Sequence, residues 1–255
     1  MFRGLIVSLF TGGAFFGAAG AGPSGDILGR RWTILIGAFI FCIGGTVQTS
    51  AQNIPALYMG RFFAGLGVGF LTMMIPLYQS ELAHPSIRGR ITALQQFMLG
   101  VGALVASWVA YGTFIAYPKT SSKQWRIPLG IQIIPAGVLG ALILLFPESP
   151  RWLIKNGRQE EGLRTLAQLH SHGDEQDPWV RAEFEQIQEQ ISYEEETAAR
   201  SYTDLFTDRA SFRRLILCTA LQASVQMTGV SAIQYYSTII FVSFTLPWKH
   251  SMSTD

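Results

Sequence analysis

Charge is what this 255-residue chain has least of. Only 14% of its residues are Asp, Glu, Lys or Arg, against about a quarter in soluble domains. The net charge is +2 and no basic block occurs, which removes the electrostatic footprint of a nucleic-acid binder. Cysteine is nearly absent too. Cys42 and Cys218 each lie in an apolar segment, so neither a disulfide framework nor a zinc spacing follows. The four histidines, His84, His170, His172 and His250, fall in loops or polar helix and read as solvated surface, with a ligand role for His170 and His172 the weaker alternative. No nucleophile–base pair and no phosphate-binding loop is present, and Asp26 and Glu81 sit near arginines, which suits salt bridging better than acid–base chemistry. An enzyme is not expected, and no cofactor is implied.

Apolar residues are abundant, at 49%, and they are segregated. Residues 151–214 hold 22 of the 36 acidic and basic residues, so the remainder has the composition of a membrane domain. A bilayer core takes about 20 apolar residues per helix. Six stretches satisfy this, roughly 4–21, 32–51, 54–80, 89–115, 127–146 and 213–246. The first is expected to stay as a span and not to be a cleaved signal, because its apolar run continues to Ala21 behind a lone Arg3. Glycine recurs inside the spans, at Gly12, Gly13 and Gly17 and at Gly65, Gly67 and Gly69, where small residues allow close helix packing.

Basic residues sort the connections. Those after spans one, three and five carry Arg30 and Arg31, Arg88 and Arg90, and both ends of the long 147–212 segment. They are expected on the cytoplasmic side. The 116–126 connection, with Lys119, Lys123 and Arg126, dissents. Met1 would then start outside with no preceding span, so either the first helix inserts unaided in that orientation or an earlier helix is missing, and the second is the favoured expectation. Within the polar segment, residues 159–171 and 178–199 carry helical apolar patterns (Leu163, Leu166 and Leu169, then Phe184, Ile187 and Ile191). Asp177-Pro178 is a helix start.

Four motifs carry chemistry. Gly22-Pro-Ser-Gly-Asp26-Ile-Leu-Gly29-Arg30-Arg31 reads as a tight turn that sets an acid and two arginines at the membrane edge. Arg61 follows Gly60 inside an apolar helix, where a charge needs a partner or an aqueous cavity, and no acid lies at matching depth. Pro76-Leu-Tyr78-Gln-Ser-Glu81 runs on to Arg88-Gly89-Arg90. Glu81 and Arg88 could join Asp26, Arg30 and Arg31 in a network that locks one conformation or serves as a brace. Pro147-Glu148-Ser149-Pro150-Arg151-Trp152-Leu153 ends the apolar region, with prolines stopping the helix, Arg151 facing headgroups and Trp152 at the interface.

In this order, with Trp125-Arg126 between them, these motifs resemble the sugar porters of the major facilitator superfamily over about residues 4–244, in a fungal style near Gln226. The resemblance implies an all-α membrane protein with a partial major facilitator fold. About six transmembrane helices would be family helices two to seven, in a plan of two six-helix halves with sugar bound between them. The expected divisions are 1–150, a bundle lacking the family's first helix; 151–212, a cytoplasmic helical linker; 213–246, the first helix of the second half; and 247–255, an atypical tail. By residue, Gln96 and Gln226 are similar to sugar-contacting glutamines, and Tyr235 and Tyr236 match a gating pair. Val225 and Ser231 replace two further polar contacts. Arg61 resembles the arginine of proton coupling, and Asp26, Arg30, Arg31, Glu81, Arg88, Glu148 and Arg151 the cytoplasmic gate. The implied partners are a sugar or polyol, protons and the lipid bilayer, with no nucleic acid, and the implied location is the plasma membrane. The expected activity is alternating-access transport, with this chain an inactive fragment. The alternative is a non-transporting sensor or regulatory partner.

Overall fold

The computed structural model describes residues 2–118, 121–197 and 208–229. The chain forms two compact units, Met1–Ser192 and Tyr193–Asp255.

The first unit is built on three long helices, α1 (Phe2–Leu28), α2 (Arg30–Ser50) and α3 (Ile54–Leu82). α3 is central, with α1 and α2 packed along it. Glycine explains how closely. A methyl group on Gly13 or Gly17 would overlap the carbonyl oxygen of Phe62 or Leu66, and one on Gly65 or Gly69 would overlap that of Phe10 or Ala14. The α1–α3 seam is thus backbone against backbone, the contact that small residues permit between membrane helices. On the other side Gly44 meets the Ala64 backbone, and Gly60 and Gly67 meet Gln48 and Phe41. Gly12 has open space around it, so the seam uses Gly13 and Gly17.

α4 (Arg88–Ala116) follows, and then a span made of α5 (Lys123–Ile131), α6 (Ile133–Leu142) and a 3-10 turn at Ile143–Leu145. Among the described residues five helical stretches are long and apolar enough to cross a membrane: Gly4–Leu28, Arg30–Ser50, Ile54–Leu82, Arg88–Ala116 and Lys123–Leu145. They correspond to the first five expected spans. α4 buries only Thr113 and presents Phe97, Leu99, Trp108 and Ile115 outward.

Two details differ from the sequence reading. The Gly22–Gly29 stretch is not a turn. α1 runs through Pro23 to Leu28, and only Gly29 breaks it, at φ +94° and ψ 164°. The dissenting Arg126 is not in a loop. It lies in α5 and donates from Nη2 to the Ala51 carbonyl at the end of α2, at 2.9 Å, where a cation suits the helix terminus.

The polar segment adds α7 (Pro150–Lys155), α8 (Gln159–His170) and α9 (Pro178–Thr197). Leu166, Ala167 and Val180 form a small core with Leu163, Phe184 and Ile187 around it, as the helical pattern required. Asp177 accepts from the Trp179 amide at 2.8 Å and the Ser171 hydroxyl at 2.6 Å. It caps α9 directly before Pro178. These bonds hold the Asp177 carboxyl below its ordinary range, the Ser171 bond most of all.

In the second unit, α10 (Arg209–Met227) starts on Asp208, which accepts from the Ser211 amide at 3.0 Å and the Ser211 hydroxyl at 2.8 Å. α10 overlaps the first part of the stretch 213–246. Residues 230–246 lie outside the described residues.

Candidate functional site: a charged node at one end of the bundle

The connection at Gly29, the C-terminal end of α3 and the Phe146–Ser149 connection come together at one end of the bundle. Arg30 opens α2 and Glu81 sits one residue before the end of α3. Arg30 Nε donates to Glu81 Oε2 at 2.9 Å and Nη2 to Oε1 at 3.0 Å. The side chains are 8% and 7% exposed. This is a two-point guanidinium–carboxylate pair, a geometry lysine could not reproduce. Nη1 completes the set with the Gly25 carbonyl at 2.8 Å and Asp26 Oδ1 at 3.2 Å. Asp26 faces solvent and also meets Lys155 Nζ at 3.7 Å.

Glu148 plays a different part from the one its charge suggests. It forms no ion pair with a guanidinium among the described residues. Its Oε1 accepts from the backbone amides of Arg30 at 3.0 Å, Arg31 at 3.2 Å and Ser149 at 3.0 Å. The carboxylate therefore caps the N-terminus of α2 from 118 residues away, against the positive end of the helix dipole. Gly29 is required twice over. Its dihedrals belong to a region open essentially to glycine, and a Cβ there would come within 2.6 Å of Glu148 Oε2.

Around this pair the Pro147–Leu153 motif is tied to α1, α2 and α3. Tyr78 Oη donates to the Pro147 carbonyl at 2.5 Å. Arg31 Nη2 donates to the Leu144 carbonyl at 2.5 Å. Ser149 caps α7 by accepting from the Trp152 amide. Trp152 Nε1 donates to the Asp26 carbonyl at 2.8 Å, so the ring fastens α7 to the end of α1. Arg151 lies half-buried in the first turn of α7.

The structure thus brings together Asp26, Arg30, Arg31, Glu81 and Glu148. Arg88 stands apart, exposed at the start of α4, with no side-chain hydrogen bond or ion pair to a described residue. Tyr78 and Trp152 belong to the node and were not singled out for it. Tyr78 could have been found, since a polar tip on a buried aromatic needs a partner.

The residues matched to sugar contact are elsewhere. Gln96 is exposed on α4, and Gln226 is exposed near the end of α10. Tyr235 and Tyr236 lie outside the described residues. Arg61 is half-buried in α3, and its Nε has no hydrogen-bond partner among the described residues. A cavity of about 390 Å³ lies beside the node. Ile34, Leu82, Leu139 and Phe146 help to line it, with Tyr78 and His170 at its wall. Its apolar surface offers few partners to sugar hydroxyls. His170 itself was misjudged as solvated surface. Its side chain is 4% exposed, because it lies between α3, α9 and the His84 ring. Among the described residues no group of three His, Cys, Asp or Glu could hold a metal.

Apolar helices packed on glycine seams, with a buried charge pair at one end and a helical segment fastened below it, make up a partial major facilitator fold. The proton:xylose symporter XylE bound to 6-bromo-6-deoxy-D-glucose superposes with a TM-score of 0.71 at 25% identity, over 78% of this chain and 45% of that one. The family of "Sugar (and other) transporter" proteins matches residues 1–249, and the chain belongs to it, among the sugar porters. MFS-type transporter criB of Aspergillus cristatus is 38% identical over 94% of the chain and 51% of its own length. The quinate permease of Emericella nidulans is 36% identical over 93% and 46%. The MFS glucose transporter mfs1 of Aspergillus flavus is 36% identical over 94% and 46%. The chain spans about half the length of these relatives.

Proposed function

We propose that this protein moves a sugar or polyol across the plasma membrane by alternating access, coupled to protons, with the node as part of its inner gate. The observation that carries the gate is the Arg30–Glu81 pair. It is buried, bonded at two points, and made between two different helices whose ends also receive the Glu148 carboxylate and the α7 segment. Such a pair is costly to break one side at a time, which suits a contact that must be either fully made or fully exchanged. Relatives that carry glucose and quinate in their names support the substrate class. Gln96, Gln226, Tyr235 and Tyr236 are assigned to the substrate path, since amide and hydroxyl groups pair with sugar hydroxyls. Arg61 is assigned to proton coupling, since a charge inside a span without a described partner marks a functional position. Arg151 and Arg88 are assigned to the gate from their places at the ends of α7 and α4.

Alternating access needs two halves rocking against each other. The 255 residues alone, at about half the length of the relatives, are therefore expected to enter membranes without moving sugar. The test is uptake of labelled glucose, xylose and quinate in a transport-deficient yeast expressing the intact gene. Uptake that collapses an imposed proton gradient is expected. Uptake of none of these, with the protein at the cell surface, would overturn the reading. Arg61→Gln should remove accumulation against a gradient while leaving exchange of internal for external substrate. Equal loss of both would place Arg61 outside proton coupling.

A further inference from the structure

His170 closes α8 at a point where three parts of the chain meet. Its Nδ1 lies 2.8 Å from Glu183 Oε2 on α9, and its Nε2 lies 3.3 Å from the Leu82 carbonyl oxygen at the end of α3. A carbonyl and a carboxylate are both acceptors. A neutral imidazole has a single N–H and can serve one of them. The ring that serves both is the imidazolium, with a proton on each nitrogen.

The neighbouring ring is set the other way. His84, in the connection between α3 and α4, accepts on Nδ1 from the Ser86 amide at 3.2 Å. The same nitrogen lies 2.7 Å from the Ser86 hydroxyl. Its ring stacks on Trp179 at 4.3 Å and 21° and meets His170 edge-on at 5.2 Å and 77°. Each element packed on His170 therefore presents a defined group. α3 offers the Leu82 carbonyl, the connection offers the His84 ring, and α9 offers the Glu183 carboxylate and the Trp179 ring at 5.6 Å. Glu183 is the charge that meets the ring.

We propose that protonated His170 is a latch that fastens the α8–α9 pair to the end of α3, and that the latch opens when the proton leaves. Deprotonation removes one of two donors. The ring must then abandon either the Leu82 carbonyl or the Glu183 carboxylate in a site nearly closed to water. Leu82 directly follows Glu81, the partner of Arg30, so the latch grips α3 one residue from the charged node. The bearing of the latch on gating rests on the transport reading above; the latch itself does not.

The chain is labelled with ¹⁵N-histidine and placed in lipid nanodiscs, with the His170 signals identified by their loss in His170→Gln. Near pH 6 both ring nitrogens of His170 should carry protons. A bare nitrogen on His170 under those conditions, as in a neutral ring facing a protonated Glu183, overturns the proposal. The second readout is Trp179 emission, taken as the difference between the native chain and Trp179→Phe, as pH is raised. One transition is expected. It should move to lower pH in Glu183→Gln, which keeps the size of the side chain and removes its charge, and should vanish in His170→Gln. A transition unmoved by Glu183→Gln, or surviving in His170→Gln, also overturns the proposal. A latch confirmed by both readouts, in a protein whose uptake ignores His170→Gln, would keep the latch and remove its link to the gate.

Discussion

At the residue scale the node makes unequal demands on its members. Glu81 is buried and accepts both arms of Arg30, so Glu81→Ala leaves a guanidinium without its main partner in a dry site. Losing one side of such a pair costs about 3–5 kcal/mol, and thermal unfolding in detergent should show it as a large drop in Tm. Arg88→Ala should leave Tm within error, because Arg88 touches none of these groups. Gly29→Ala should cost about 1–3 kcal/mol for its backbone alone, and more because Glu148 must retreat from the α2 amides. The sequence grouped Asp26, Arg30, Arg31 and Glu81, but it also grouped with them Arg88, which stands apart. It did not separate the two roles within the node. Glu148, placed in the gate by the resemblance, caps a helix, and a cap made by a residue 118 positions away leaves no local spacing to recognise. His170 was misread for a related reason. The polar residues around it suggested solvent, while its burial comes from α3 and the α3–α4 connection, far away in the chain.

At the scale of elements, helix existence was legible and helix contacts were not. Apolar length sufficed for five spans, and the Leu163–Leu166 and Phe184–Ile187 patterns predicted the α8–α9 pair. Gly22 to Gly29 misled because glycine and proline normally punctuate a soluble chain. In a membrane helix the same residues serve packing, and Pro23 is tolerated inside α1. The glycine seams give a direct test. Gly17→Leu on the α1–α3 seam should destabilise by about 1–3 kcal/mol or more, since backbone faces backbone there. Gly102→Ala on α4, where a Cβ has open space, should be neutral or stabilising by about 0.5–1 kcal/mol. Equal effects in the two variants would argue against the seam. The α9 cap adds a pH dependence. Asp177 is held below its ordinary value of 3.8, so its cap contributes fully above that value and is lost as pH falls through the lower folded-state value. Circular dichroism of the chain should show helix loss in that acid range, and Asp177→Asn should abolish this component of the acid transition.

At the scale of the first unit, the bundle, the charged node and the α7 segment are tied together by the Arg30–Glu81 pair, the Glu148 cap and the Trp152–Asp26 bond. Family membership gives the class of protein and leaves open whether the node is a brace or a switch. A brace lowers stability when broken and leaves the transport cycle of surviving molecules intact. A switch changes the cycle itself. The most direct measurement compares native protein with Glu81→Gln, which keeps the shape of the side chain and removes its charge. Proton-driven uptake and substrate binding are measured side by side in the same membranes at equal surface expression. The account predicts that uptake falls at least about tenfold, equivalent to 1.4 kcal/mol on the cycle, while binding stays within about twofold. Unchanged uptake in Glu81→Gln would contradict it and reduce the Arg30–Glu81 pair to a structural brace.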